Sequence, residues 1–160
     1  MKRTRNGVTK RIALAITAGI LALTACHPNS TAPTSRAQVL GALATYDSLI
    51  VRMDHDRIAA TFMPEGETSD ADQAAIRGPE AIRQHLLGFE AFKVVANRLE
   101  ADTTWVKADT AWQEGNYWQR VRLPAGDTVE VRGRFAVTWQ QTAPGLWQIR
   151  RMHTFRPPQH

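Results

Sequence analysis

The chain has 160 residues, one cysteine and a formal charge of +5, but the excess is local. Residues 1–25 carry five bases and no acid, which leaves 15 bases against 15 acids in residues 26–160. That near-neutral body shows no nucleic-acid motif and so gives no ground for a nucleic-acid partner, and a single cysteine excludes an internal disulfide framework.

The N-terminus reads as an export address. Lys2, Arg3, Arg5, Lys10 and Arg11 form a positive segment, and Ile12–Ala25 follows without a charge. Fourteen apolar residues are too few for a mature membrane span of about 20, but they suit the core of a signal peptide. The run ends Leu23-Thr24-Ala25-Cys26, which resembles the bacterial lipobox. The expectation is a signal peptide over 1–25, lipidation at Cys26, and membrane attachment through acyl chains. Residues 26–35 are rich in Pro, Ser and Thr and read as the lipidated cysteine with its tether. His27, where an Asp would favour inner-membrane retention, points to the outer membrane of a cell envelope.

About 125 residues remain, one domain of ordinary size. Ser35 and Gln38 fit a capping box, after which Val39, Leu43, Tyr46, Ile50 and Met53 make an apolar helical stripe. Asp54 or Asp56 can cap a short second helix with Ile58, Ala59 and Phe62 inward, stopped by Pro64 and Gly66. A polar loop containing Thr68 to Gln73 follows. Gly78-Pro79-Glu80 opens a third helix with Ile82, Leu86 and Phe89 on its buried side.

From Lys93 the pattern turns to strands, near 93–106, 110–123, 128–140 and 146–156, separated by turn residues. Pairing Leu123 with Val129 puts Val121 opposite Val131, Tyr117 opposite Phe135 and Gly115 opposite Val137. The core side then holds Ala111, Tyr117, Val121, Phe135, Val137 and Trp139. The other side holds Trp112, Trp118, Arg120, Arg122, Arg132 and Arg134, with Trp118 opposite Arg134 and Arg122 opposite Glu130. A one-residue slip would bury the arginines. The fold class is α+β: three N-terminal helices packed on a mostly antiparallel sheet.

This order of elements resembles the nuclear transport factor 2-like superfamily, more narrowly its SnoaL-like and ketosteroid isomerase-like branch. The residues that carry the likeness are Tyr46, Asp56 to Glu65, Gly78 to Ile82, Ala111 with Glu114 to Tyr117, Phe135 to Trp139, and Gly145 to Ile149, spanning a domain of 36–157. The resemblance implies a strongly curved sheet wrapped around the helices into a cone with a pocket at its open end. On ketosteroid isomerase, Tyr46 falls at the oxyanion-donating tyrosine and Asp70 at the general base. The remaining donor position falls on Phe135, so the oxyanion hole would have one donor fewer, worth about 10²–10³ in rate. Equally, Tyr46 fits a core tyrosine at the pocket rim and Asp70 a solvated loop carboxylate.

By alternation on the last strand, Trp147, Ile149, Arg151, His153 and Phe155 share a face. With Trp147 and Ile149 in the core, Arg151 and His153 fall toward the mouth of the cone. His153 would serve there as acid or base and Arg151 would hold a substrate carboxylate, or both mark a strand end without a task. Trp139, Tyr117 and Phe135 are the expected ligand-contacting walls. The five histidines make no ligand pair at metal spacing, so neither a metal nor a cofactor is expected. Three functions fit: a cone binding a small, partly apolar ligand; an isomerase- or dehydratase-type enzyme using Asp70 or His153 as base; or an envelope interaction module. Related domains often dimerise through the open sheet face, and its Trp and Arg residues suit a homodimer.

Overall fold

The computed structural model describes residues 34–155. The 1–25 segment, Cys26 and the tether up to Pro33 lie outside the described residues, as do 156–160. Among the described residues no helix is long and apolar enough to cross a membrane.

Helix α1 (Ser35–Arg52) begins one residue before the expected box. Thr34 is the cap, accepting from the Ala37 N–H at 3.3 Å, and Ser35 is already helical. Val39, Leu43 and Leu49 are buried while Tyr46 and Ile50 are half-buried against the sheet. Met53, with a left-handed φ of 52°, ends the helix by donating its N–H to the Ile50 carbonyl. Asp54 then caps α2 (His55–Ala60) by accepting from the Arg57 N–H at 3.1 Å.

The chain after α2 departs from expectation. Pro64 and Gly66 do not open a loop; they lie inside a strand, β1 (Phe62–Asp70), which pairs parallel to the last strand. Phe62 faces Ile149, but the next pair is Glu67 with Arg151, so residues 63–66 bulge out of the ladder. A bulge tolerates a proline because no ladder N–H is required of it. It also brings Gly66 so close to the next strand that a Cβ would sit 2.6 Å from the Ile149 carbonyl oxygen. Asp70 therefore ends a strand instead of floating in a polar loop. A two-residue β2 (Ile76–Arg77) edges the sheet.

Helix α3 (Pro79–Leu87) follows Gly78, whose φ of 81° favours glycine, and has Pro79 in its first turn. Ile82 is buried and Leu86 half-buried, but Phe89 lies beyond the helix end and is 44% exposed. It was expected inward because the helical period had been carried past Gly88.

Strands β3 (Lys93–Lys107), β4 (Thr110–Arg122), β5 (Thr128–Ala143) and β6 (Leu146–Phe155) form the expected antiparallel meander, and the sheet order is β2-β1-β6-β5-β4-β3. The fold is α+β, with few helices against a curved, unclosed, mostly antiparallel sheet. The β4–β5 register differs from expectation by two residues: Val121 faces Val129, Tyr117 faces Gly133 and Gly115 faces Phe135. Leu123 is drawn into the turn, donating its N–H to the Asp127 carbonyl at 2.8 Å. The Tyr117 ring lies over Gly133, where a Cβ would come within 2.5 Å of it, so only a glycine fits there. A shift of two preserves the faces, and Ala111, Phe135, Val137 and Trp139 are buried as expected. It does change the outer pairs: Trp118 faces Arg132, Asn116 faces Arg134, Arg120 faces Glu130 and Arg122 faces Thr128.

One end of the structure is packed solid. Val39 and Leu43 of α1 meet Trp139, Trp147 and Ile149. Buried Gln113 accepts from the Trp139 indole at 2.8 Å and donates to Thr104 at 3.1 Å. At the other end the β4–β5 hairpin runs on past the helices, leaving Val129 38% and Val131 40% exposed.

The two kinds of glycine predict opposite stability effects. A Cβ at Gly115 would lie 1.9 Å from the Glu100 carbonyl oxygen, so Gly115→Ala should destabilise by about 1–3 kcal/mol. At Gly41, within α1, nothing lies within 4 Å, so Gly41→Ala should stabilise by about 0.5–1 kcal/mol. Urea denaturation of both variants checks the pair, and equal signs would contradict these packing distances.

Candidate functional site

The site is built where the helices end and the sheet continues. Tyr46 and Ile50 come from α1, Thr68 and Asp70 from the end of β1, and Thr154 from β6. Asn97 and Leu99 come from β3, while Tyr117, Phe135 and Val131 come from the β4–β5 hairpin. Together they line a cavity of about 250 Å³. It shares Tyr46, Thr68, Asp70 and Thr154 with a deeper lobe of about 130 Å³ under α3. It shares Ile50, Gln119 and Val131 with an apolar mouth of about 410 Å³, walled also by Met53, Phe92 and Leu123. Space of this order and character fits a small-molecule site. The largest depression, about 490 Å³, is a separate groove between α1, α2 and the β5–β6 turn; no carboxylate lines it.

Tyr46 and Asp70 thus meet in one cavity. The Tyr46 ring packs edge-on to Phe62 at 6.2 Å, and burial pushes its phenol up to about 12. At neutral pH it is therefore a protonated donor. Among the described residues its hydroxyl has no hydrogen-bond partner. Asp70 accepts from the Thr154 hydroxyl at 2.6 Å through Oδ1. Phe135 is 1% exposed and presents only carbon at the position where the resemblance would put a second donor. Tyr117 and Phe135 line the middle lobe. Trp139, expected beside them, is instead locked in the closed end by Gln113 and lines none of the three lobes.

Arg151 and His153 do not face the cavity. Trp139 pairs with Ile149 and Thr138 with Arg151, so Arg150 is an extra residue in β6. A one-residue bulge reverses the alternation beyond it. Met152 and Thr154 therefore point inward, and Arg151 and His153 stand on the outer face. Simple period-two counting cannot detect this. Outside, Arg151 Nε donates to Glu67 at 2.5 Å, Arg77 pairs with the same carboxylate at 2.9 Å, and Ser69 shares a 2.5 Å hydrogen bond with His153 Nδ1. His153 also packs edge-on to Phe155 at 4.1 Å.

Sequence reasoning gives no role to two residues of this site. Asp47, next to Tyr46, accepts from Asn97 Nδ2 at 2.5 Å; burial raises its pKa, opposed by that bond, by the Leu99 backbone and by Arg98. A polar Asn97 two residues from Val95 and from Leu99 was the available signal. His55 lines the mouth, and its buried Nε2 has no partner among the described residues. Among the described residues there is no group of three His, Cys, Asp or Glu placed to hold a metal.

The outer sheet face carries Trp118, with the Arg120 guanidinium 6.0 Å from its ring centre, and ion pairs from Arg134 to Asp102 and Arg132 to Glu130 at 3.1 Å. Trp105, across from Trp112, is 50% exposed.

This architecture is that of the nuclear transport factor 2-like proteins. The ketosteroid isomerase-like protein of Erwinia carotovora atroseptica superposes with a TM-score of 0.68 at 19% identity, over 79% of this chain and 100% of the other. An NTF2-like protein with a cystatin-like fold from Novosphingobium aromaticivorans gives 0.65 at 19% identity, over 78% and 83%. A nuclear transport factor 2-like superfamily protein of Salmonella enterica serovar Typhimurium gives 0.65 at 16%, over 78% and 92%. At these identities what is shared is the fold. No protein-family model and no curated protein matches the sequence.

The Glu67 pairs define a pH dependence. Its carboxyl is held below the ordinary 4.5, chiefly by the Arg151 hydrogen bond. A carboxyl depressed in the folded state stabilises above its unfolded pKa and loses that effect as pH falls through the folded value. Glu67→Gln should therefore cost up to about 1 kcal/mol near neutral pH, given that both arginines are exposed. The gap from the parent should close below about pH 4. Thermal melts at both pH values check it; a constant gap would mean the ion pairs are not its source.

Proposed function

We propose that this chain is a lipid-anchored envelope protein whose cone binds a small, partly apolar molecule. The observation that carries the reading is the set of three adjoining lobes: an open apolar mouth borders lobes where Tyr46, the solvent-exposed Asp70 and Thr154 supply polar contacts. Apolar walls with a few convergent polar groups are the usual make-up of a ligand site. The anchoring part rests on Ala25-Cys26 after the apolar run, and the outer membrane is its proposed destination.

A neutral dye, N-phenyl-1-naphthylamine, tests the cone. The full chain should brighten and blue-shift its emission, and Val131→Lys, at an exposed position of the mouth, should remove most of that gain. Unchanged binding by the variant would sink the reading.

A second reading, isomerase- or dehydratase-type catalysis, is favoured by the meeting of Tyr46 and Asp70 in one lobe. Asp70 would take the proton and the Tyr46 hydroxyl would donate to the developing oxyanion. The base in this reading is Asp70 alone, because His153 stands outside. With Phe135 in place of a second donor, the rate would lie about 10²–10³ below that of a two-donor hole. Loss of turnover with retained dye binding in Asp70→Asn would support it.

The Trp and Arg residues of the outer face support a homodimer through that face. Cys26→Ser should release the chain from the membrane fraction. Light scattering of that released chain should then give the dimer mass, and a monomer at micromolar concentration would remove the dimer.

A further inference from the structure

We infer that the middle lobe of the cone selects amines, molecules carrying a protonated amino group on an apolar body, and rejects carboxylates. This rests on the ligand-binding reading of the cone and names the class of ligand. Four observations converge on it.

The lining of the three lobes contains one acid, Asp70, two histidines, His55 and His85, and neither lysine nor arginine. The guanidinium expected there, Arg151, is on the outer face and already bonded to Glu67. An anionic ligand would meet the like charge of Asp70, itself exposed to solvent, with no lysine or arginine in the walls to offset it.

Asp70 itself is incompletely used. Thr154 occupies Oδ1, and among the described residues no group donates to Oδ2 and no cation pairs with the carboxylate. A carboxylate oxygen without a protein donor at a cavity wall is an acceptor for a ligand N–H.

The walls around it are aromatic. Tyr46, Tyr117 and Phe135 line the same lobe as Asp70, and ring faces attract a cation. A carboxylate that shares a lobe with rings binds ammonium through charge and quadrupole together, where an alcohol gains only one hydrogen bond.

A second acid stands behind the wall. Asp47 bonds Asn97, a residue of the lobe's lining, so the part of its charge that Arg98 does not offset adds to that of Asp70 in favouring a cation. The apolar body of the ligand then extends past Ile50 and Val131 into the mouth.

Three matched, water-soluble probes test this by isothermal titration of the full chain near pH 8: 2-phenylethylammonium, 2-phenylethanol and 3-phenylpropanoate. The ammonium should bind roughly tenfold or more tighter than the alcohol, as a charge-assisted bond implies, and the carboxylate should bind most weakly. Asp70→Asn should erase the ammonium preference while leaving the alcohol within about twofold. Tyr117→Leu, which leaves the carboxylate in place, should weaken the ammonium more than the alcohol. Equal affinity for all three probes, or a preference that survives both substitutions, overturns the charge selection and leaves the cone a binding site. Binding of none of them, the alcohol included, overturns both readings.

Discussion

The arrangement of this site depends on one residue too many in one strand. Arg150 adds a step to β6 between Ile149 and Arg151 without a partner in β5. Before it, Trp147 and Ile149 close the packed end of the cone; after it, Met152 and Thr154 face the cavity. Were Arg150 instead a regular member of the ladder, the inward row would continue with Arg151 and His153. A guanidinium would then sit against the Tyr46 floor and no hydroxyl would reach Asp70. The bulge therefore sets both the polarity of the cavity and the charge on the outer face.

A second irregularity cooperates with the first. The four-residue bulge of β1 carries the chain past Pro64 and returns it to register at Glu67. From there Glu67 pairs outward with Arg151 and Asp70 inward with Thr154. Both alternations are reset within a few residues of each other, so the two strands present matched faces. The outward pair is satisfied within the protein: each Glu67 oxygen has an arginine. The inward pair is not, because one hydroxyl cannot saturate a carboxylate. That asymmetry separates a surface ion pair from a group available to a ligand.

The taper of the cone follows from how far the helices reach. α1 covers the sheet from Val39 to Ile50, where Ala111, Val137, Trp139 and Ile149 are buried in the same core. The β4–β5 hairpin outruns it, leaving Val129 and Val131 exposed on the inner face. Apolar residues there would gain from cover, and a ligand body in the mouth would supply it. The floor remains polar because Tyr46 and Asp47 sit consecutively on α1, one turned to the cavity and one to Asn97.

Much of this was legible in the sequence. Helix existence, the four long strands and the faces of β4 and β5 follow from periodicity, because one slip would bury arginine. The conjunction of Tyr46 with Asp70 came from the resemblance to ketosteroid isomerase. The export signal and lipidation at Cys26 that local patterning leads one to expect lie outside the described residues. The tertiary structure alone decided what the strands do where they break their period. β1 was hidden because Pro64 and Gly66 are local stop signals, yet a bulge against Ile149 tolerates the first and needs the second. The hairpin register moved by two because the Tyr117 ring requires a glycine opposite it, a contact between residues 16 apart in sequence. Arg151 and His153 went outward because Arg150 lacks a partner in a neighbouring strand. Alternation along one strand is a property of that strand, whereas the place where alternation resets is set by the strand beside it.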